Sequence, residues 1–265
     1  MGLDKRQKID SKKQNDNENA MNIEYINDEN DFQEVTFDFL EPDDKFYHNL
    51  KQLLRKTFFF VNWAFEGMLQ TICDQKHFGI FLGSESEDDT SENLIYAVLT
   101  IINLKRLNDA CFLSPFRDYI ISHCDENVVQ FLENSIFSDY SSVGFLINER
   151  VVNLPNMIVP SIYQQLMEDR SYLDEEEAGA TEEEKAELKF KFLLYFTVGV
   201  YKKEDDKIKD SSINGLMFSK AEDEKFVQKA ILIQKIPSLL GEEYVLVFMI
   251  IKFDDFIDYS YKCIV

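Results

Sequence analysis

The stretch Ser142–Asp169, SVGFLINERVVNLPNMIVPSIYQQLMED, joins a strand pattern to a helix pattern with no catalytic motif between them. Val143, Phe145 and Ile147 alternate with Gly144, Leu146 and Asn148, and the apolar excess on both sets predicts a strand covered on both faces. Asn153 stands where a helix cap would be. Pro155 follows near the first helical position, where a missing N–H costs nothing. Ile158, Ile162 and Leu166 then form an apolar stripe at helical spacing. Pro160 inside that stripe predicts a kink or a later helix start.

Working outward, the chain alternates strands and helices. Val35, Phe37 and Phe39 alternate with polar residues as a strand does, and Pro42, Asp43 and Asp44 open a helix through Leu50, Leu53 and Leu54. Phe65, Leu69 and Ile72 put a second helix over about 62–74. A short strand follows over 77–82. After the acidic loop Ser84–Asn93, the apolar run Leu94–Leu104 suits a central strand. Ser114 and Pro115 open a helical segment that continues by spacing toward Phe137. Beyond the opening stretch, Asp174–Glu187 is an acidic linker or short exposed helix. Phe190 through Val200 show the clearest period-two pattern in the chain, which predicts a strand over 188–201. Charged residues 202–210 form a loop, and Glu222–Ala230 a helix. Two closing strands, 231–236 and 244–253, are joined through Pro237 and Gly241. The fold class expected is α/β: a three-layer sandwich with a central mixed, mostly antiparallel sheet and helices on both faces. Residues 1–31, rich in Lys, Asp, Asn, Glu and Gln, read as a disordered polar tail, and 32–265 as a single α/β domain.

Charge bounds the function classes. The formal net charge is −21, from 49 acidic against 28 basic residues, while 45% of the chain is apolar and 23 Phe and 12 Tyr can fill a substantial core. Such a surface repels nucleic-acid phosphates, so direct DNA or RNA binding is not expected, whereas a basic protein partner is favoured. The four cysteines, Cys73, Cys111, Cys124 and Cys263, form no CxxC pair and indicate neither a disulfide framework nor a zinc ribbon. No apolar run approaches the ~20 residues of a membrane span, so no membrane insertion is expected. Lys5, Arg6, Lys8, Lys12 and Lys13 make a small basic cluster of the kind that serves as a nuclear-import address.

The motif V-G-F-L-I-N-E-R-V-V-N-L-P, with S-I-Y-Q-Q-L in the helix behind it, resembles the hallmark segment of the BCCIP/BCP family. Phe37–Leu54, FDFLEPDDKFYHNLKQLL, is similar to that family's opening strand, acidic turn and first helix. Phe218–Ala230, FSKAEDEKFVQKA, is similar to its acidic element. The chain differs in length and in the inserts Ser84–Asn93 and Ser171–Glu187. The resemblance implies a fold like that of the GCN-five-related acetyltransferases, without their chemistry. It also implies a nuclear protein, shuttling with the cytoplasm, that chaperones a basic large-subunit ribosomal protein in ribosome biogenesis and nuclear export. Further partners it implies are a phosphoinositide kinase, nuclear transport factors and, in animals, DNA-repair and cell-cycle proteins.

No motif supplies an enzyme. An acetyltransferase of that fold holds its cofactor pyrophosphate on a glycine-rich turn at a helix N-terminus. Here the nine glycines never occur as GxG, and the corresponding junction offers Asn153, Leu154 and Pro155. His48, His77 and His123 stand without a second histidine at ligand spacing, and His123 and Cys124 are adjacent residues that would not face one another on a helix. Cofactors and metals are therefore not expected. The candidate partner-binding residues are Glu222, Asp223, Glu224, Asp43, Asp44 and Arg150. The first three suit a helix start equally well through the helix dipole, and Arg150 suits an ion pair at a strand end. The alternatives to a chaperone are a degenerate acetyltransferase-like enzyme and a scaffold for phosphoinositide-kinase, cell-cycle and DNA-repair partners.

Overall fold

The computed structural model describes residues 20–26, 32–58, 65–75, 78–84, 94–109, 112–173, 181–201, 213–238 and 240–264. The opening stretch supplies its central strand, β5. In chain order the strands are β1 (Ala20–Ile26), β2 (Phe32–Leu40), β3 (Gly79–Ser84), β4 (Leu94–Asn103), β5 (Val143–Arg150), β6 (Phe192–Tyr201), β7 (Leu216–Phe218), β8 (Leu232–Pro237) and β9 (Tyr244–Lys252). They form one sheet in the order β1-β2-β3-β4-β5-β6-β9-β8, with β7 paired to β6. Every pairing is antiparallel except β5 with β6.

Helices cover both faces, as the two-sided apolar pattern of β5 requires. Val143, Phe145 and Ile147 join a core with α1 (Tyr47–Phe58), α2 (Phe65–Cys73), α3 (Leu104–Asp109) and α4 (Leu113–Ile121). Rings dominate it: Phe145 lies 5.1 Å from Phe116 and 5.7 Å from Phe58 between centroids, edge to face. The short α5 (Glu126–Phe131) and a π turn over Leu132–Ile136 close this layer. Leu146, Leu193 and Tyr195 point the other way, into a core with α6 (Val159–Leu173), α8 (Ala221–Lys229) and α9 (Phe253–Ile264). The exposed α7 (Glu182–Glu187) lies in the acidic linker.

Three expectations change, and one alternative is decided. The polar tail contains β1, paired to β2 from Ala20 opposite Asp38 to Ile26 opposite Phe32. The reason is local: Met21, Ile23 and Tyr25 alternate with Asn22 and Glu24, a strand pattern that an average composition conceals. The rest of that tail, with the basic cluster at 5–13, lies outside the described residues, as do His77, Cys111 and residues 85–93, 174–180 and 202–212. Asn153 caps nothing. It sits exposed in a turn closed by Leu154 N–H donating to the Val151 carbonyl at 3.2 Å, and the helical turn Asn156–Ile158 begins after Pro155. The later start is the one adopted: α6 begins at Val159, so Pro160 falls in its first turn, where no donor is lost. Finally, α9 follows β9 directly, with Phe253, Phe256, Ile257 and Ser260 on its packed side, a helical spacing that continues from a strand without a breaker residue.

Candidate functional site

The ladder between β5 and β6 runs for only four pairs, from Val143–Phe192 to Leu146–Tyr195. Beyond them β5 continues to Arg150 paired to β4 alone, and β6 takes up β7 through Gly199–Tyr201. The two strands therefore part in the middle of the sheet, where unpaired backbone groups and buried side chains need other partners. Three of the six candidate residues, Arg150, Glu222 and Asp223, meet at this parting, with Lys220 in their midst.

Lys220 is 4% exposed and reaches into the gap, donating to the Asn148 carbonyl at 2.6 Å and to Glu149 Oε1 at 3.0 Å. Its ammonium takes the place of a strand's N–H on the free edge of β5. Glu149 points to the opposite face, where Thr57 Oγ1 of α1 donates to the same Oε1 at 2.9 Å. Glu222, 1% exposed, accepts from both terminal guanidinium nitrogens of Arg150 and from Asn148 Nδ2 at 3.1 Å; that amide also donates to the Tyr163 hydroxyl of α6 at 3.2 Å. Asp223, with no exposure, accepts from the Tyr195 hydroxyl and from Thr197 Oγ1, both at 2.6 Å. Among the described residues no buried side-chain nitrogen or oxygen is left without a partner.

The electrostatics follow from burial and pairing. Burial pushes Asp223 up to about 6, against the pull of Lys220 and of its two hydroxyl donors. For Glu222 burial acts upward too, but the bond and charge of Arg150 outweigh it and hold the carboxyl below its ordinary value. Burial opposes the Lys220 ammonium, yet Asp223 and Glu149 hold its pKa above that of a free lysine. Burial first and the Asp223 charge second push Tyr195 well above its ordinary value, which keeps its hydroxyl a donor.

This geometry places the side chains of Glu222, Asp223 and Arg150 inside the molecule. Their charges are consumed inside the molecule, because the parting strands would otherwise leave polar groups unpaired. Arg150 makes the strand-end ion pair that its position suggested, with Glu222 as its carboxylate. Asp43, Asp44 and Glu224 are exposed. Asp43 accepts from the Lys45 N–H at 2.8 Å and so opens the helical turn before α1, and Asp44 accepts from Gln70 at 2.8 Å. Sequence reasoning missed Lys220, Asn148, Thr57, Tyr195 and Thr197. Asn148 and Thr197 carried a usable signal, as polar residues interrupting otherwise apolar strands.

Other chemistry is not assembled among the described residues. No group of three or more His, Cys, Asp and Glu side chains is placed to hold a metal ion, and no helix is long and apolar enough to cross a membrane. Burial pushes the Cys73 thiol up to about 12 and the Cys124 thiol up to about 11, the reverse of what a thiolate nucleophile needs. His123 is tied by Nδ1 to the Tyr119 carbonyl at 2.8 Å, not to Cys124.

With the acidic α8 element locked onto the strand that carries the hallmark motif, the chain's relatives come into view. A family profile described as BCCIP matches residues 32–230. The chain belongs to the BCCIP family. Protein BCCIP homolog from Arabidopsis thaliana is 27% identical over 237 residues, covering 86% of this chain and 70% of that one. The BRCA2 and CDKN1A-interacting protein of Mus musculus is 26% identical over 209 residues, 75% of this chain and 65% of that one. The crystal structure of BCP1 from Saccharomyces cerevisiae matches with a TM-score of 0.58 at 19% identity, over 85% of this chain and 86% of that chain, which shows a shared fold.

The Asp223 carboxyl gives a pH signature. An acid whose folded pKa lies above its unfolded value, here about 6 against 3.8, binds its proton more tightly when folded. Its contribution is therefore fullest below the unfolded value and is lost as pH rises toward 6. Asp169, also pushed up to about 6 chiefly by burial, acts in the same sense. Urea unfolding of the wild type and of Asp223→Asn across pH 4 to 7 separates the two (about the span of these values). The expected stability difference, wild type minus variant, falls between about pH 4 and 6 and flattens above.

Proposed function

We propose that this chain is a non-catalytic binding protein that chaperones a strongly basic client, a ribosomal protein of the large subunit, in ribosome biogenesis and nuclear export. The observation that carries this reading is the net charge of −21 on a fold in which, among the described residues, the buried acids are already paired. Exposed carboxylates such as Asp43, Asp44 and Glu224 attract cations at long range and speed encounter with a basic partner. Covering a client's RNA-binding lysines and arginines would suppress its non-specific attraction to nucleic acid until hand-over. Asp43, Asp44 and Glu224 present carboxylates to solvent and are the members of the candidate set open to such a partner. Binding by proteins of this family also accords with the name of the mouse relative, an interacting protein of BRCA2 and CDKN1A. Contacts with a phosphoinositide kinase and nuclear transport factors, and residence in the nucleus with shuttling to the cytoplasm, belong to the same proposal.

Affinity purification of the full chain at low and at moderate salt tests it. The expected result is recovery of a large-subunit ribosomal protein, weaker at the higher salt as surface charge is screened. Recovery of neither a ribosomal protein nor an assembly factor at either salt would overturn it.

The acetyltransferase-like reading has one observation in its favour: a single parallel strand pair, β5 with β6, with helix α6 following β5, in a sheet whose other described pairings are antiparallel. Against cofactor use stands the turn between β5 and α6, which carries Asn153, Leu154 and Pro155 where phosphate binding needs close backbone approach. A thermal-shift titration with acetyl-CoA is expected to leave the melting temperature unchanged; saturable stabilisation would restore the enzyme reading.

A further inference from the structure

We propose that Lys220 is a bolt through the sheet that couples the two helical layers, so that loosening α1 on one face releases α8 on the other. The coupling has a continuous physical path. Thr57 sits in the last turn of α1 and donates to Glu149 Oε1 at 2.9 Å; that same oxygen accepts from Lys220 Nζ at 3.0 Å. Lys220 immediately precedes α8, whose first turn carries Glu222 and Asp223. Those two carboxylates hold β5 through Arg150 and Asn148 and β6 through Tyr195 and Thr197. Within four residues, 220 to 223, the chain thus grips both strands beyond their last backbone pair and touches the far face through one shared oxygen.

Three features make this a coupling device rather than a set of separate contacts. The ladder it replaces is missing, since β5 and β6 are not paired with each other past Leu146 and Tyr195. The parts are buried together, and in a low-dielectric interior charges and hydrogen bonds polarise one another, so the loss of one member is felt by the rest. The strand that leads into it gives little hold of its own, since β7 is three residues long and pairs with β6 alone, while α8 rests on α9 through Phe226 against Phe256 and Tyr259 and through Lys229 to Asp255 at 3.4 Å. Phe226 supplies the apolar side of the attachment, edge to face with Tyr195 at 5.6 Å. Tyr195 also lies under the Lys220 ammonium, 5.4 Å from ring centre to Nζ. The inference is independent of which partner the protein binds. It gives a partner docked on either layer a route by which to alter the other.

Hydrogen–deuterium exchange of the full chain, resolved by peptide, tests the bolt. Thr57→Val keeps the side chain's shape and removes the hydroxyl that reaches Glu149. The expected result is exchange in peptides covering α8 faster by about threefold or more, an effect of local opening transmitted across the sheet. Thr71→Val is the control, because Thr71 is buried in the same layer but donates to its own helix, at the Gly67 carbonyl, outside the network. It is expected to leave α8 unchanged. Equal α8 exchange in Thr57→Val and wild type, or equal acceleration in both threonine variants, would overturn the proposal. Lys220→Met keeps the aliphatic stem without the ammonium and reads the coupling in reverse: exchange at the end of α1, residues 51–58, is expected to rise. Unchanged exchange there would count equally against it.

Discussion

The structure depends on how two parallel strands are held together after their ladder ends. Parallel strands in a sheet are normally joined along their length by evenly spaced backbone bonds, and here β5 and β6 share only four residue pairs. Past the last pair, buried charges fill the gap, with Lys220 and Arg150 facing Glu149, Glu222 and Asp223. Taking such groups out of water is expensive, and their mutual attraction repays it only when every hydrogen bond is made. That condition is met, and it explains why Lys220 lies between the strands instead of in solvent. Burial then leaves Asp223 with a raised pKa, against the pull of Lys220 and of its two hydroxyl donors.

Much of this was legible from the residues. The period-two pattern of 190–200 and the apolar run 94–104 gave strands close to their final bounds, since alternation and β-branched content report the pleat directly. The two-faced pattern of 143–147 gave a central strand with helices on both sides, and that placement holds in both cores. What could not be read was which polar residues turn inward. Glu222, Asp223 and Glu224 are three consecutive acids with the same local signature of a helix start, yet the first two are buried and the third is exposed. The difference comes from β5 and β6, more than seventy and about twenty-six residues away in sequence. No local pattern contains it. The strand at Ala20–Ile26 was missed for another reason, a short alternation surrounded by polar residues, and α9 because nothing marks the change from a period of two to one of 3.6 at Phe253.

The same burial separates two kinds of charge that the overall figure of −21 merges. Carboxylates in the network set the shape of the molecule and are unavailable to a partner, while those in exposed turns such as Asp43 and Asp44 act on the surroundings. An acidic element can therefore serve folding while the outward charge lies elsewhere, on exposed turns. The turn after β5 shows the same division: Arg150 is drawn inward by Glu222, and Val152 at 77% exposure stands outside on a turn that Leu154 anchors.

The most direct test of the central claim is a double-mutant cycle in urea between Glu149→Gln and Lys220→Met, the two charges that meet in the gap between the strands. The account predicts that the two substitutions are strongly non-additive, with a coupling of about 1 kcal/mol or more, because either one alone removes the same link. Stability losses that add to within about 0.5 kcal/mol would contradict it, and would mean that the strands part without needing the bolt.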